Sequence, residues 1–200
     1  CRKLLPGREI TEVTEPVFDR ISAEKSPQGV ICVAKYIDKI HNINKIYKVD
    51  DFRDGGRYLM LSSLRDPGNL GTVIRTAAAF GIDGLILSSD CADIYNPKTV
   101  QATMGGIARV RLHYTPLPEL IRSLKDIPVY GTFLDGENMY GQPLSKNGLI
   151  VMGNEGNGIG KEVEALINRK LYIPNYPASR ETSESLNVAI ATAVVCAEFR

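Results

Sequence analysis

The sequence lacks any long run of apolar residues. No stretch approaches the ~20 apolar residues that a membrane-spanning helix needs, and the amino end lacks the charged-then-apolar pattern of a secretory signal. We therefore expect a soluble globular protein that neither enters a membrane nor is exported. With 200 residues, 44% of them hydrophobic, the chain can bury one core, with at most a small appendage.

Cysteine and histidine are scarce. The four cysteines lie far apart with no CxxC pair, and there are only two histidines. A structural zinc site or a disulfide framework is therefore not expected, and we predict no metal. The thiols are typical of a reducing compartment, so we expect a cytoplasmic protein.

The sequence also lacks an excess of either positive or negative charge. The 24 basic and 23 acidic side chains leave a formal net charge of +1. Such a balance gives none of the large positive field with which many proteins hold nucleic acid through its phosphates. If RNA is the partner, a local patch must bind it.

Two regions differ in pattern. Up to about residue 55 the chain is polar, with a short helix predicted in EPVFDRIS, a strand in GVICVAKY and a linker in VDDFRDGGR. Over 56–200, short apolar runs alternate with helical spacing, which favours an α/β domain with a mainly parallel sheet flanked by helices. The predicted strands are YLMLSSL (58–64), GLILSS (84–89), IPVYGTFL (127–134), GLIVMG (148–153) and LYIP (171–174).

The segment RDPGNLGTVIRTAAAFG, residues 65–81, joins an apolar run to a helical pattern. Its glycines match neither GxxxxGK[ST] nor GxGxxG, so neither standard nucleotide cradle is predicted. We expect a turn at DPG and a helix that begins near Asn69 or Leu70. The 3.6-residue period then faces Leu70, Ile74 and Ala77 toward the core.

Two polar residues of this helix have alternative interpretations. Asn69 is either a helix cap or a ligand-binding group, and Arg75 is either a solvated charge or part of a site. At a spacing of four, the neighbours of Arg75 are Gly71 and Ala79. Such small residues leave room around the guanidinium for a ligand or for a neighbouring backbone.

A glycine-rich segment, LIVMGNEGNGIG at 149–160, follows a strongly apolar run. Glycine destabilises a fold unless its missing side chain is used, so the backbone must approach something closely here. The alternatives are a flexible connection and a ligand-binding loop, in which Asn154, Glu155 and Asn157 supply hydrogen bonds. The high glycine content of this segment favours a ligand-binding loop.

The segment IPNYPASRETSESLNVAIATAVV, 173–195, predicts a strand end, a polar loop and a helix. Ser185 is either the N-cap of that helix or a functional group, while Asn187 needs partners for its amide. The helix is apolar on most faces, so we expect it to be buried in the domain or against a second subunit. One stripe of it consists of Leu186, Ile190, Ala193 and Ala197.

These three segments together resemble the signature motifs of the SpoU (TrmH-type) RNA ribose 2′-O-methyltransferases, in the SPOUT superfamily. The matching residues are DPGNLGTVIRTAAAFG, VMGNEGNGIG, and IP followed by ESLNVAIATAV, in the family's order over roughly 58–200. The resemblance implies transfer of a methyl group from S-adenosyl-L-methionine to a ribose 2′-hydroxyl of RNA. It also implies a homodimer with the site completed across the interface, and a C-terminal deep trefoil knot that holds the cofactor.

The resemblance also assigns residues to the site. It implies catalytic roles for Asn69, Arg75, Glu155, Ser185 and Asn187. Positions that surround the cofactor match Gly153, Ile173 and Leu186, and Thr132 matches a further one. The third motif departs from the family at Asn175, where methionine is usual, and in the longer loop NYPASRETSE.

The chemistry limits what Arg75 is expected to do. A guanidinium has a pKa above ~12 and rarely gives up a proton, so we expect Arg75 to grip an RNA phosphate and stabilise the developing alkoxide. Asn69 and Asn187 would orient the hydroxyl and the arginine. Glu155 and Ser185 would support them or contact cofactor and substrate, and the proton acceptor is left unassigned.

Residues 1–55 resemble the carboxyl end of the L30e-like substrate-binding domain found in many members of that family, followed by a linker to a catalytic domain at 56–200. Because the chain begins with Cys1 and not methionine, we expect more of such a domain upstream. This remnant favours ribosomal RNA as substrate over tRNA. The other hypotheses are a tRNA methyltransferase, a non-catalytic RNA-binding relative, and a nucleotide-binding kinase or dehydrogenase, whose fingerprints are absent.

Overall fold

The structure is a computed structural model that describes residues 6–24, 26–36, 56–177 and 185–199. Contacts divide the chain into two units, Cys1–Lys35 and Tyr36–Arg200. Within the described residues, no helix is long and apolar enough to cross a membrane. The linker predicted in VDDFRDGGR lies mostly outside them.

The first unit contains one helix and no strand among its described residues. Helix α1, Glu15–Ile21, confirms the helix predicted in EPVFDRIS. The strand predicted in GVICVAKY is wrong, because residues 29–36 are irregular. Val30 and Val33 are 62% and 95% exposed, and no neighbouring strand is present in the described part of this unit to satisfy an extended backbone.

The second unit is built on a six-stranded sheet in the order β3-β2-β1-β5-β4-β6. Every pairing is parallel, which confirms and extends the predicted mainly parallel sheet. The strands are β1 Arg57–Leu61, β2 Gly84–Leu87, β3 Leu112–Tyr114, β4 Val129–Asn138, β5 Gly148–Met152 and β6 Arg169–Tyr172. Five match predicted runs with shifted ends, while β3 has only three residues and was too short to show a periodicity.

Helices cover both faces of the sheet because alternate residues of each strand point to opposite sides. On one face Leu59 and Leu61 pack with α2, Pro67–Phe80, and α6, Val188–Glu198. On the other face Tyr58 and Met60 pack with α4, Leu117–Ser123, and α5, Lys161–Glu164. Helix α3, Pro97–Ala102, and a short 3₁₀ helix, Gly106–Ala108, lie against α2.

The predicted orientation of α2 is confirmed, since Leu70, Ile74 and Ala77 are completely buried. Helix α6 buries only one side in the domain, with Val188, Ala189, Thr192, Val195 and Cys196 inside. Leu186, just before α6, and Ile190 are 50% and 56% exposed. The stripe that contains them is therefore the outward side of the helix.

The chain crosses over β6 after the first half of β4. Leu171 of β6 pairs with Thr132 and again with Glu137, so the residues between these two pass over it. Gly136 lies directly on this strand, because a Cβ added there would be 2.5 Å from the carbonyl carbon of Leu171. The deep trefoil knot stays a prediction, since the connection to α6 runs partly through residues outside the described ranges.

Candidate active site

The turn after β1 and the loop after β5 lie side by side at the carboxyl edge of the sheet. This follows from the register, in which the last residues of the two strands, Leu61 and Met152, are partners. The turn after β1 leads into α2, and the loop after β5, residues 153–160, leads into α5. The first two predicted motifs are thus neighbours, at the edge where open α/β sheets bind ligands.

Helix α2 begins earlier than predicted, at Pro67, and is capped by Asp66. The Asp66 Oδ1 accepts a hydrogen bond of 2.7 Å from the backbone N–H of Asn69. A proline in the first turn suits this start, since its missing N–H would have had no partner there. The cap interpretation of Asn69 is therefore wrong, and its side chain is available for other contacts.

The Asn69 side chain joins all three motifs. Its Nδ2 donates a hydrogen bond to Glu155 Oε1, and its Oδ1 accepts one of 3.1 Å from Asn187 Nδ2. We call Asn69, Glu155 and Asn187 the amide cluster. Glu155 and Asn187 lie 86 and 118 positions from Asn69 along the chain, and both are in direct contact with it.

Asn187 is the N-cap of α6. Its Oδ1 accepts hydrogen bonds from the backbone N–H groups of Ala189, at 3.0 Å, and Ile190, at 3.4 Å. The expectation that its amide needs partners is confirmed, because the oxygen caps the helix while the nitrogen contacts Asn69. The cap interpretation of Ser185 is wrong: Ser185 lies two residues before the cap and is exposed, with no hydrogen-bond partner for its hydroxyl within the described residues.

The glycine-rich loop is a tight, ordered turn. Asn154 and Gly158 exchange two backbone hydrogen bonds of 2.9 Å, and the Asn154 Oδ1 accepts from the N–H groups of Gly156 and Asn157. Gly153 permits this closure, because a Cβ there would be 2.4 Å from the carbonyl carbon of Gly158. The close approach predicted from the glycines is therefore to the loop's own backbone, and a ligand-binding role for the loop stays a prediction.

The loop is also tied to the turn that precedes α2. Asn154 Nδ2 donates 2.9 Å to the carbonyl oxygen of Ser63, and the N–H of Gly160 lies 3.5 Å from Ser62 Oγ. Ser63 has a φ of 59°, a left-handed conformation that marks the sharp turn leaving β1. These contacts hold Glu155 at the loop tip next to Asn69.

Two charged groups stabilise the start of α2. This role was not predicted from the sequence. Lys98 Nζ lies 3.1 Å from Asp66 Oδ2. The Asn69 N–H above all, together with the Lys98 ammonium, keeps the pKa of Asp66 below its usual range. The available signal was the pair DPG and NPK, since an Asp or Asn before proline is a typical helix cap, and Asn96 indeed caps α3.

Arg75 stands apart from the amide cluster. It is six residues beyond Asn69 on α2, which places it about 9 Å further along the helix axis and about 120° around it. Its side chain is exposed, and the guanidinium has no hydrogen bond or ion pair to any described residue. The structure thus does not bring Arg75 together with the other predicted catalytic residues of the same chain.

The small residues beside Arg75 are predicted to leave room for either a ligand or a neighbouring backbone. At Gly71 the structure shows a neighbouring backbone. A Cβ at Gly71 would be 2.4 Å from the carbonyl oxygen of Thr99 in α3. On the next turn, Gly106 lies over the backbone of Arg75, where its added Cβ would be 3.3 Å from the Arg75 Cα. Close packing of α3 and the 3₁₀ helix therefore fixes this part of α2.

Three of the predicted cofactor residues lie in or just after adjacent strands. Thr132 is in β4, Gly153 follows β5 and Ile173 follows β6, and the Thr132 hydroxyl is 3.8 Å from Met152 Sδ. Leu186 precedes the Asn187 cap. Partly exposed aliphatic side chains next to loop backbone suit a ligand with a flat, largely apolar base and polar edges, so these residues fit S-adenosyl-L-methionine. Residues 178–184 of the long loop after Pro174 lie outside the described ranges.

Other features of the described surface carry no predicted residue. A cavity of about 270 Å³ lies at β4 and β6, with Tyr130, Glu137, Arg169 and Lys170 among its lining. No group of three or more potential metal ligands occurs in the described parts of the chain. The absence of a metal stays a prediction.

Comparison with known proteins matches the residues that form this site. The model of the SpoU rRNA Methylase family matches residues 56–197. The 23S rRNA (guanosine(2553)-2′-O)-methyltransferase RlmP of Bacillus subtilis is 31% identical over 198 residues, which are 97% of this chain and 73% of that protein. The 23S rRNA (guanosine-2′-O-)-methyltransferase RlmB of Neisseria meningitidis serogroup B is 30% identical over 190 residues, or 92% and 72% of the two chains.

Solved structures give the same result. The AdoMet-bound rRNA methyltransferase from Sinorhizobium meliloti is 35% identical to this chain with a TM-score of 0.66. The match covers 73% of this chain and 56% of that one.

Proposed function

The chain belongs to the SpoU rRNA methylase family, and on this premise we propose that it transfers a methyl group from S-adenosyl-L-methionine to a ribose 2′-hydroxyl of ribosomal RNA. The observation that carries the proposal is the amide cluster, in which one residue from each motif is in contact. A relative that only bound RNA would have no need to keep these groups together. The similarity to proteins named for 23S rRNA supports ribosomal RNA over tRNA.

The work of this chain is to position the two reactants. Bound S-adenosyl-L-methionine supplies a methyl group that its sulfonium has already activated, and Thr132, Gly153, Ile173 and Leu186 would hold it. Correct placement of the ribose oxygen alone contributes several kcal/mol to lowering the barrier. Asn69 and Asn187 present rigid amides to the ribose, since each is held by a neighbour. Arg75 binds a phosphate of the RNA in a bidentate manner and stabilises negative charge on the oxygen.

The position of Arg75 favours a homodimer with shared sites. Arg75 lies about 120° around α2 from Asn69 and has no partner among the described residues. The outward stripe of α6 leaves Ile190 56% exposed beside the cluster residue Asn187. A second copy placed on this stripe would cover apolar surface and could bring its own Arg75 to the site.

The methyl transfer is tested with ribosomal RNA isolated from a strain in which the gene is deleted. The purified protein should transfer label from tritiated S-adenosyl-L-methionine to that RNA, and the modified nucleotide should resist alkaline cleavage, because its 2′-oxygen can no longer attack the phosphate. The same RNA from the parent strain should accept little label. Equal labelling of both RNAs, or a label at a base, would contradict the proposal.

The shared site is tested by mixing two inactive variants, Arg75→Ala and Asn69→Ala, in one co-expressed dimer. If Arg75 serves the partner's cluster, one of the two sites in each mixed dimer is intact and activity returns to about half of that expected per native dimer. If each chain uses its own Arg75, both sites in the mixed dimer are damaged and activity stays absent.

The cytoplasmic location stays a prediction.

A further inference from the structure

The hydrogen bonds of the amide cluster have a fixed direction. Amide nitrogen and oxygen atoms look alike in shape, so their assignment depends on the partners. Here α6 decides it, because the N–H groups of Ala189 and Ile190 can only donate and therefore require the Asn187 oxygen. The Asn187 nitrogen must then be the atom that faces Asn69.

The same reasoning fixes the direction of the hydrogen bond between Asn69 and Glu155. Since Asn187 Nδ2 donates, it requires the oxygen of Asn69, and the nitrogen of Asn69 is left to face Glu155. An amide nitrogen can only donate, so Glu155 must accept. The N-terminus of α6 thus imposes on Glu155 Oε1, two amides away, the role of a hydrogen-bond acceptor.

The rest of Glu155 is open to a substrate. It is exposed at the loop tip, and its second oxygen, Oε2, has no hydrogen-bond partner among the described residues. It is the only charged residue in loop 153–160. The charged residues at the adjoining start of α2, Arg65 and Asp66, are paired with Asp90 and Lys98. No described residue forms an ion pair with Glu155.

We propose that Glu155 is the proton acceptor of the methyl transfer, with Arg75 protonated throughout. This inference rests on the proposed function and deepens it. As the ribose oxygen forms its bond to the methyl carbon, the bond between that carbon and sulfur breaks and sulfur keeps the electron pair. The hydroxyl proton passes to Glu155 Oε2 and then to solvent, so charge and atoms balance. The Asn69 contact to Oε1 aims the free oxygen at the ribose that Asn69 also orients.

The test uses Glu155→Gln, which is nearly isosteric. The glutamine oxygen still accepts from Asn69, so the cluster keeps its hydrogen bonds, while the basic oxygen is replaced by an amide nitrogen. The single-turnover rate of methyl transfer should fall by about 10²–10⁴-fold, the range that general-base catalysis supplies, with binding of S-adenosyl-L-methionine and RNA unchanged. Glu155→Asp keeps a carboxylate on a shorter side chain, so its single-turnover rate should lie between those of the wild type and Glu155→Gln.

A pH profile separates catalysis from a supporting role. The wild-type rate and the Glu155→Asp rate should fall on the acid side as the carboxylate becomes protonated, and Glu155→Gln should lack this limb. Near-normal activity of Glu155→Gln, or a slow variant that keeps the acid limb, would overturn the inference while leaving the methyl transfer intact. If the wild-type protein transfers no methyl group, the proposed function itself fails.

Discussion

At the residue scale, the site depends on side chains that act on other side chains. Asn69 is oriented because Asp66 caps α2 in its place and because Glu155 and Asn187 hold its two amide atoms. The resemblance to the family's motifs pointed to the three cluster residues, but not to the role of Asp66. Asp66, three residues before Asn69, caps α2 because the first N–H groups of a helix have no partner within it.

The first prediction concerns this cap. Asp66→Ala should lower the free energy of unfolding by about 1 kcal/mol, the usual value of a lost N-cap, and should release Asn69. Asp66→Asn is the matched control, since it keeps a capping oxygen and loses only the exposed ion pair with Lys98, which is worth little. Urea unfolding at pH 7 measures both variants, and equal losses would contradict the assignment.

The same residue gives a pH dependence with a defined sign. The folded state lowers the pKa of Asp66, so its ionised form stabilises the fold above the unfolded pKa and this contribution is lost as pH falls through the folded value. The stability difference between the wild type and Asp66→Asn should therefore begin to shrink near pH 4, the ordinary pKa of an aspartate, and should disappear once the pH is below the lowered pKa of the folded state. A difference that grows on acidification would have the wrong sign.

At the scale of elements, the start and course of α2 are set by close backbone packing. Gly71 faces the carbonyl oxygen of Thr99 in α3, and Gly106 of the following 3₁₀ helix lies over Arg75. The sequence predicts room at Gly71, but the same pattern serves a ligand or a neighbouring backbone equally well. That choice depends on where α3 packs, which no local pattern encodes.

The second prediction uses the conflict between local and tertiary preferences at Gly71. Helix propensity alone would make Gly71→Ala about 1 kcal/mol more stable. The structure predicts the opposite sign, a loss of about 1–3 kcal/mol, because the new Cβ would overlap the Thr99 oxygen and force α3 away. Thermal unfolding decides the sign, and a stabilised variant would show that the two helices are not packed in this way.

At the scale of the whole molecule, the predicted catalytic residues of one chain do not form a single group. The amide cluster and the predicted cofactor residues share the carboxyl edge of the sheet, while Arg75 faces elsewhere. The exposed side of α6 lies next to the cluster. Assembly of two chains would join these parts, and the mixed-variant experiment above tests the joint site.

The third prediction concerns that assembly. Ile190→Glu places a charge on the outward side of α6 and should convert a dimer to monomers in light scattering at micromolar concentration, with loss of methyl transfer and little loss of folded structure, because Ile190 is 56% exposed in the protomer. Ile21→Glu is the control, an equally exposed isoleucine at the end of α1. A wild-type monomer, or a dimer that survives Ile190→Glu, would contradict this interface.

By itself, the sequence determined the α/β class, the buried strands, the inward face of α2 and the three segments that form the site. These depend on hydrophobic periodicity, glycine and proline chemistry and motif order, which are local properties of the chain. Only the tertiary structure decided that the loop glycines pack on their own backbone, that Asp66 and Asn187 are the caps, and that Arg75 lies apart from the cluster. The caps and the loop closure rest on hydrogen bonds between residues two to four positions apart, but the sequence offered other polar residues, Asn69 and Ser185, for the same caps. The direction of the hydrogen bonds that reach Glu155 depends on contacts across 86 and 118 positions of the chain.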